Sequence, residues 1–521
     1  MLTSPSQIHK NNKKFFLIIF CIFFTIYVFS SDGHRATSDE DHAQQQAFRL
    51  VVLEPDPDFI PGESGPLFKQ PQFWFPYGQG PVCENPLLCY GANVAHSVTE
   101  YPFIFLNYHL SIINSETLKF SQEDFKDPHY LFWRNSIEPD FTFMELFFGP
   151  FYSALSISIF FLICRSFNYS VKTSLVLSFV LALSTSLYVY ATTSFNQVSS
   201  LTFLLLGFYL FKKSQTSSHI LYSTLSGLSL VFGFMIRQDV ILFIIPLFIH
   251  QLIFSLLKNK LFLNTVSFIF PLLGGYGIYR LFDIIRHGTP QTGKITSDVS
   301  VITNFGSSAH DSLTFLTHMT GLLFAPGIGL FIFVPILLTV FFSFIDFFKN
   351  NKSFCILLLS FPILLVVHYS TFTFWHGLTA WPPKYLFPLI PFLLLPLGAS
   401  IEKRGKKIIP VILSLSSLGF FINIFEILQD VNWFVWGSPG GQTGLYGLAH
   451  GGSHSLYINE IILWTFQYSP ITFSIITAFT NLQIDIYLLK FFDTVPFLII
   501  LSILLSVQFF YLKKLIKKTP L

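Results

Sequence analysis

Charge is the first thing this sequence lacks. Only 11% of its 521 residues are Asp, Glu, Lys or Arg, against roughly 25% in a soluble domain. A chain so poor in charge cannot keep a large surface in water, which excludes an ordinary soluble enzyme. Cysteine is scarce as well, with five in all. Cys21, Cys164 and Cys355 fall inside apolar runs and read as small apolar side chains. Cys83 and Cys89 share "VCENPLLC", where an oxidising compartment would allow a disulfide, although two neighbouring cysteines do not define one. No internal repeat is evident, which counts against the inverted-repeat transporter folds. His450 and His454 have a metal-like i, i+4 spacing, but Gly451 and Gly452 between them argue against the helix that spacing needs.

What the chain has is apolar surface: 52% of it is hydrophobic and Phe alone occurs 66 times. No soluble core could hide that much, so lipid must be the solvent for most of it. Twelve apolar runs read as membrane spans: Phe15–Ser30, Leu146–Cys164, Ser174–Tyr190, Ser199–Phe211, Leu221–Ile236, Val240–Leu257, Leu261–Tyr279, Leu322–Ile345, Phe354–Thr371, Tyr385–Ser400, Ile408–Phe425 and Pro496–Leu512. Charge orients them. With Met1 cytoplasmic, the inner loops collect Lys10, Lys13, Lys14, Arg165, Lys212, Lys213, Lys403, Arg404 and the lysines after Leu512, with only Asp346 and Glu402 as acids. Most of the 28 acids lie in the opposite loop, Asp32–Glu145. Both termini are thus expected in the cytoplasm, and the sequons at Asn168 and Asn351 on the unglycosylated side. The first run resembles a signal peptide, but no small-x-small cleavage site precedes Asp32, so it is expected to stay.

The expected organisation is all-α and polytopic. Residues 1–31 form a cytoplasmic tail and first span, and 32–145 a large extracytoplasmic loop. Residues 146–425 form a multi-span core, 426–495 a glycine-rich outer loop, and 496–521 a last span and basic tail. Within the first loop, "YPFIFLNYHLSII" (Tyr101–Ile113) is too short to span. It reads as a helix lying along the interface, or equally as the apolar core of the loop. "QFWFPY" (Gln72–Tyr77) would anchor there.

Four outer stretches hold most of the unusual polarity: "TSDEDHAQQQAF" (37–48), "TTSFNQ" (192–197), "RHGTPQTGK" (286–294) and "FWHGLTAWPPKYLFPLIPFLLLPLG" (374–398). All four face one compartment at one membrane depth, which suggests a single interfacial site. The acidic trio Asp39, Glu40 and Asp41 has two readings, a solvated loop or a carboxylate placed to meet a substrate at the membrane surface.

These stretches resemble the GT-C glycosyltransferases, multispanning enzymes that take sugars from polyprenyl phosphates. The nearest likeness is to the protein O-mannosyltransferase and lipid A aminoarabinose transferase branch. That branch carries an Asp-Glu pair just after the first span with an Ala eight positions beyond the Asp; here Asp39-Glu40 and Ala47 stand in those places. "GLLFAPGIGLFIFVP" (321–335) is similar to its Pro-Gly-x-Gly-Leu stretch, and "AWPPKYLFPLIPFLLL" to its Trp-Gly-x-Arg-Tyr segment. Two positions depart from the pattern. Lys384 replaces an Arg, which loses bidentate phosphate recognition while keeping the charge. Gln197 stands where many bacterial relatives carry Glu.

The resemblance implies a GT-C-like bundle of about twelve spans that moves a hexose or pentose from a polyprenyl-phosphate carrier to a lipid, glycan or protein acceptor, with inversion. It would work at the outer face of a plasma (inner) membrane, or in the endoplasmic reticulum of a eukaryote. The partners are the sugar donor, the acceptor and the bilayer, with no nucleic acid. Asp39 would take the acceptor's proton, and Glu40 would orient the acceptor or a sugar hydroxyl. Lys384 and Arg237, with Arg280 and Arg286 behind them, would stabilise the departing phosphate. Tyr385, His376 and Gln197 complete the expected substrate-binding set. No cofactor is required by a monophosphate leaving group; were a divalent metal bound, Asp39, Asp41 and His42 could supply ligands. Bland alternatives stand beside each. Arg237 could be a snorkelling residue with Asp239 as its ion-pair partner, His376 an interfacial residue, and Trp375 and Trp381 interface anchors. The rival classes are a transporter or lipid flippase, which would need ionisable residues in mid-span, and an oligosaccharide ligase or polymerase of similar outline.

Overall fold

The computed structural model describes residues 5–33, 44, 47, 50–51, 94–110, 142–217, 219–258, 262–287, 312–372, 375–377, 380–428, 463–480, 484, 486–490 and 494–518. Among these every regular element is a helix and none is a strand. Seven stretches are long and apolar enough to cross a membrane: Asn11–Ser30, Phe143–Ser166, Gln238–Leu256, Phe262–Phe282, Lys352–Ser370, Phe387–Ile427 and Thr494–Lys517. Three shorter apolar helices accompany them, Val171–Leu183, Ile220–Ile236 and Ser312–Phe324. The protein is therefore a multi-helix membrane protein. Large side chains such as Phe270, Phe479 and Phe510 lie exposed along its helices, a surface suited to lipid and not to water.

Helix α1 (Pro5–Ser30) shows how the bundle forms. Phe15, Ile19, Ile22, Phe23 and Tyr27 recur at helical spacing and are all fully buried, while Leu17 on another face is 60% exposed. The buried stripe lies antiparallel on a helix spanning Thr142–Ser166; Phe15 meets Phe161 at one end and Phe24 meets Phe147 at the other. Between α1 and that helix in sequence comes α2 (Val94–Leu110), so the Thr142–Ser166 helix is α3. The chain turns at Asn168, whose φ of 64° is one that Asn tolerates. It re-enters as α4 (Val171–Leu183), capped by the Ser170 hydroxyl accepting the Thr173 N–H. Helices α5 (Asn196–Thr216) and α6 (Ile220–Ile236) pair closely, with the Ser226 and Ser229 hydroxyls donating to the Gly207 and Phe203 carbonyls at 2.8 and 2.7 Å. Small residues at such a seam let backbones approach. The chain continues through α7 (Ile241–Lys258), α8 (Phe262–His287), α9 (Ser312–Phe324), α10 (Val340–Asn350), α11 (Lys352–Ser370), α12 (Ile409–Ile427), α13 (Pro470–Thr480) and α14 (Thr494–Lys518).

Three of the expected spans are not continuous helices. Ser174–Tyr190 ends as helix at Leu183, and a four-residue helix, Leu187–Tyr190, follows the Ser184–Ser186 bend. There the Ser186 hydroxyl leaves its own helix to donate to the Pro382 carbonyl at 2.8 Å. Leu322–Ile345 is interrupted after Phe324 and again by a 3-10 turn at Pro335–Thr339, because Pro326 and Pro335 each remove a backbone donor. Tyr385–Ser400 is a 3-10 turn at Phe387–Leu389 and two short helices, Ile390–Leu394 and Leu397–Arg404, for the same reason at Pro388, Pro391 and Pro396.

Tyr101–Leu110 of the expected interfacial segment belong to α2, which starts earlier than Tyr101; its last three residues lie outside the described residues. Its inner face sets Phe103 edge-on to Phe148 and Phe151 of α3, while Val98, Tyr101, Phe105 and Tyr108 are exposed.

Candidate functional site

The bundle has two chemically different ends. One carries Lys13, Arg165, Lys213, Lys403 and Arg404. The other gathers the end of α1, the start of α3, the turn at Ala191–Phe195, the α6–α7 junction and the chain after α11. The candidate site lies at this second end.

Its floor is an ion pair. Arg237 caps α6 in an extended conformation, so its side chain can reach forward to Asp239 in the next 3-10 turn. Nη2 lies 2.6 Å from Oδ2 and Nε 3.1 Å from Oδ1, a two-pronged contact. The side chains are 10% and 3% exposed. Burial alone would lower the arginine's pKa, but the Asp239 carboxylate more than offsets it, and the guanidinium is held above its usual value. Asp239 is thus the ion-pair partner of Arg237, as the sequence suggested, and a buried one.

The pair ties three inter-helix segments together. Tyr369, near the end of α11, donates to Asp239 Oδ2 at 2.8 Å. Arg237 Nη1 reaches Asn196 Oδ1, at the start of α5, at 3.4 Å. The Tyr385 ring stacks on Tyr369 with centroids 4.3 Å apart. Two more bonds fix the segment before Lys384: Tyr190 donates to the Trp381 carbonyl at 2.5 Å, and the Trp381 indole donates to Asn423 at 3.0 Å. Trp375 and Trp381 are each 1% exposed. Their expected place as interface anchors is corrected: they are packed inside the protein, where the Trp381 N–H finds an internal acceptor. His376 beside them is buried as well.

Lys384 projects from this braced segment, its Nζ 5.8 Å from the centre of the Phe195 ring. Phe195 ends the "TTSFNQ" turn, and the neighbouring Ser194 hydroxyl accepts a bond from the Gln44 side-chain amide at 3.0 Å. Gln44 also donates to the Glu145 carboxylate. Gln44 and Ala47 are fully buried, and Gln44 is seated on the same turn that Lys384 approaches. Gly149 makes the seat possible: a Cβ there would stand 2.2 Å from the Thr193 carbonyl oxygen and 2.7 Å from that of Ala191. Gln197, one residue into α5, is 1% exposed, and among the described residues neither atom of its amide has a partner. Such a group costs free energy when left dry, so a ligand or water is its natural complement.

Arg237, through Asn196, and Lys384, through Phe195, thus both meet the start of α5, the helix that carries Gln197, and Tyr385 joins them through its stack on Tyr369. Arg280 is half-buried on α8, next to Tyr279, whose hydroxyl takes the Gln238 amide at 2.5 Å. The backbone of Arg286 lies in the last turn of the same helix, and its side chain lies outside the described residues. Asp39, Glu40, Asp41 and His42 also lie outside them, as do Cys83, Cys89, Gln72–Tyr77 and the glycine-rich stretch around His450. Among the described residues no group of three His, Cys, Asp or Glu is placed to hold a metal ion.

Sequence reasoning missed Glu145 and the α2 pair His96–Glu100, whose Nε2 and Oε1 are 3.3 Å apart. Glu145 and Glu100 are 2% and 0% exposed. Glu145 had one signal, an acid placed directly before an apolar run of spanning length. Compared with known families and with curated proteins, the chain matches no family model and no curated protein.

Proposed function

We propose that the protein is an inverting membrane glycosyltransferase that moves a sugar from a polyprenyl monophosphate carrier to an acceptor hydroxyl or amine at the non-basic end of the bundle. The reading takes its chemistry from the resemblance to GT-C enzymes. One observation carries it: Gln44, five residues beyond Asp39, and Lys384 both meet the Ser194–Phe195 turn. Asp39 is close enough in sequence to Gln44 for its carboxylate to reach the neighbourhood of Lys384, and a donor with its phosphate at the membrane surface would need both groups there.

In this mechanism Asp39 accepts the proton of the attacking hydroxyl or amine as the new bond to the anomeric carbon forms. The bond from that carbon to the phosphate oxygen breaks, and its electron pair leaves on the polyprenyl phosphate. Lys384 meets the developing phosphate charge. Arg237 spends its two-pronged contact on Asp239, so it acts by holding the α5 start and Tyr369 in place and by adding positive potential behind Lys384. Gln197 offers amide donors to the phosphate or to a sugar hydroxyl. Displacement from the face opposite the phosphate inverts the anomeric centre. Glu145, through Gln44, positions the segment that bears Asp39.

The test is release of polyprenyl phosphate from a panel of polyprenyl-phosphate sugars by the full-length protein in lipid nanodiscs. Wild type is expected to turn over at least one donor. Asp39→Asn is expected to fall by about 10²–10⁴-fold, the range for loss of a general base. No release by wild type with any donor, or an unimpaired Asp39→Asn variant, would overturn the proposal.

A further inference from the structure

The basic end of the bundle holds a cavity of about 160 Å³ between the ends of α1, α3 and α5. It is far from the site described above and owes nothing to the transferase reading. Lys13, Arg165 and Lys213 contribute to its wall, with Asn12, Ser166 and Tyr209 as polar neighbours. At roughly 30 Å³ per water it has room for about five waters, enough for a phosphate group.

Three features distinguish this cavity from the scattered positive charge of any membrane protein's loops. Arg165 is fixed in place: Nη1 donates to the Tyr169 carbonyl, and Nε to Asn12 Oδ1 at 3.4 Å. Those bonds occupy two of the five N–H donors of a guanidinium, and leave the rest for a ligand. Lys213 is steadied over the Tyr209 ring, with Nζ 5.7 Å from its centre. Among the described residues no acid lines the cavity. Glu402, the acid that acts on Arg165, has its Oε1 on the Ser170 N–H at 2.7 Å. Three like charges around one cavity repel each other, and an anion between them removes that cost.

The geometry points to a phosphate-bearing anion as the occupant, with the headgroup of an anionic phospholipid as its source. The wall supports that source. Leu17, one helical turn beyond Lys13 on α1, is 60% exposed, so apolar surface for an acyl chain begins directly beside the cations. Basic pockets between helix ends are suited to such headgroups.

The experiment is native mass spectrometry of the full-length protein with phosphatidylglycerol, phosphatidylcholine or inorganic phosphate. Phosphatidylglycerol is expected to be retained in preference to phosphatidylcholine. Lys13→Gln and Lys213→Gln should each weaken its binding about fivefold, the effect of one cation near an anionic surface. Arg165 is left intact because it also braces Tyr169. Lys406→Gln with Lys407→Gln, two exposed lysines of the cytoplasmic-type loop outside the cavity, should leave binding unchanged. Binding of inorganic phosphate alone, with the same sensitivity to Lys13 and Lys213, would keep the site and assign it a soluble anion. Equal retention of both lipids without phosphate binding would overturn the inference, as would an equal loss from the Lys406 and Lys407 changes.

Discussion

Replacing Asp239 alone by Leu should be among the most damaging single changes in the protein, and replacing Arg237 with it should rescue most of the loss. At 2.6 Å, with an effective dielectric of about 20, the gross attraction between the two charges is roughly 6 kcal/mol. Desolvation consumes much of that. Removing one partner nevertheless leaves an uncompensated buried charge, which costs about 3–5 kcal/mol. Arg237 is 10% exposed and has little water to fall back on. Tyr369 also loses its acceptor. The double change Arg237→Leu with Asp239→Leu removes both charges and leaves the buried Tyr369 hydroxyl unsatisfied, at about 1–3 kcal/mol, while the half-buried Asn196 loses only its long 3.4 Å contact with Arg237. Adding Tyr369→Phe should bring the chain back close to wild type. Reversible unfolding by SDS in mixed micelles measures these differences directly. The reasoning fails if Asp239→Leu costs less than about 1 kcal/mol, or if the double variant is as unstable as the single one.

Gly149→Ala should destabilise the protein by about 1–3 kcal/mol, because its Cβ would stand 2.2 Å from a backbone oxygen of the Ser194-bearing turn; the same unfolding assay reads it. Cysteines in place of Gln44 and Ser194 should join efficiently under a short thiol cross-linker, whereas Gln44→Cys paired with a cysteine at Lys213 should not. Failure of the first pair would separate the post-span segment from the turn. Lys384→Gln should raise KM for a polyprenyl-phosphate donor and lower kcat, while Lys384→Arg should restore most activity; equal loss in both would point to a packing role. At the basic end, burial works against ionisation of Asp346, but bonds from Lys403, Ser400 and Arg404 outweigh it and bring its carboxyl to about 2. Since that value lies below the ordinary 3.8, the stabilisation is whole above pH about 4 and is lost as pH falls toward 2. Asp346→Asn should remove that part of the acid sensitivity, seen as a flatter stability profile over this range.

Composition and hydrophobic runs were enough to establish a helical membrane protein, because lipid demands long apolar stretches whose backbone bonds are satisfied within each helix. That demand is local, so α1, α3, α7, α11 and α14 were legible by eye. The interruptions at Ser184–Ser186, Pro326 and Pro388 were not, since a hydroxyl or a proline inside an apolar run looks like part of a span until its partner in another segment is known. The pairing of Arg237 with Asp239 could be read from their separation of two residues. Its burial, and its ties to Asn196 and Tyr369, could not, because they join positions far apart in the chain. The same holds for Gln44, Ser194 and Glu145, and for Trp381, which sequence placed at a surface and packing placed beside Asn423. Residue types and their order determined which chemistry was available; only the tertiary structure decided which of those groups share a site, because proximity across a bundle is set by helix packing and leaves no periodic trace in the sequence.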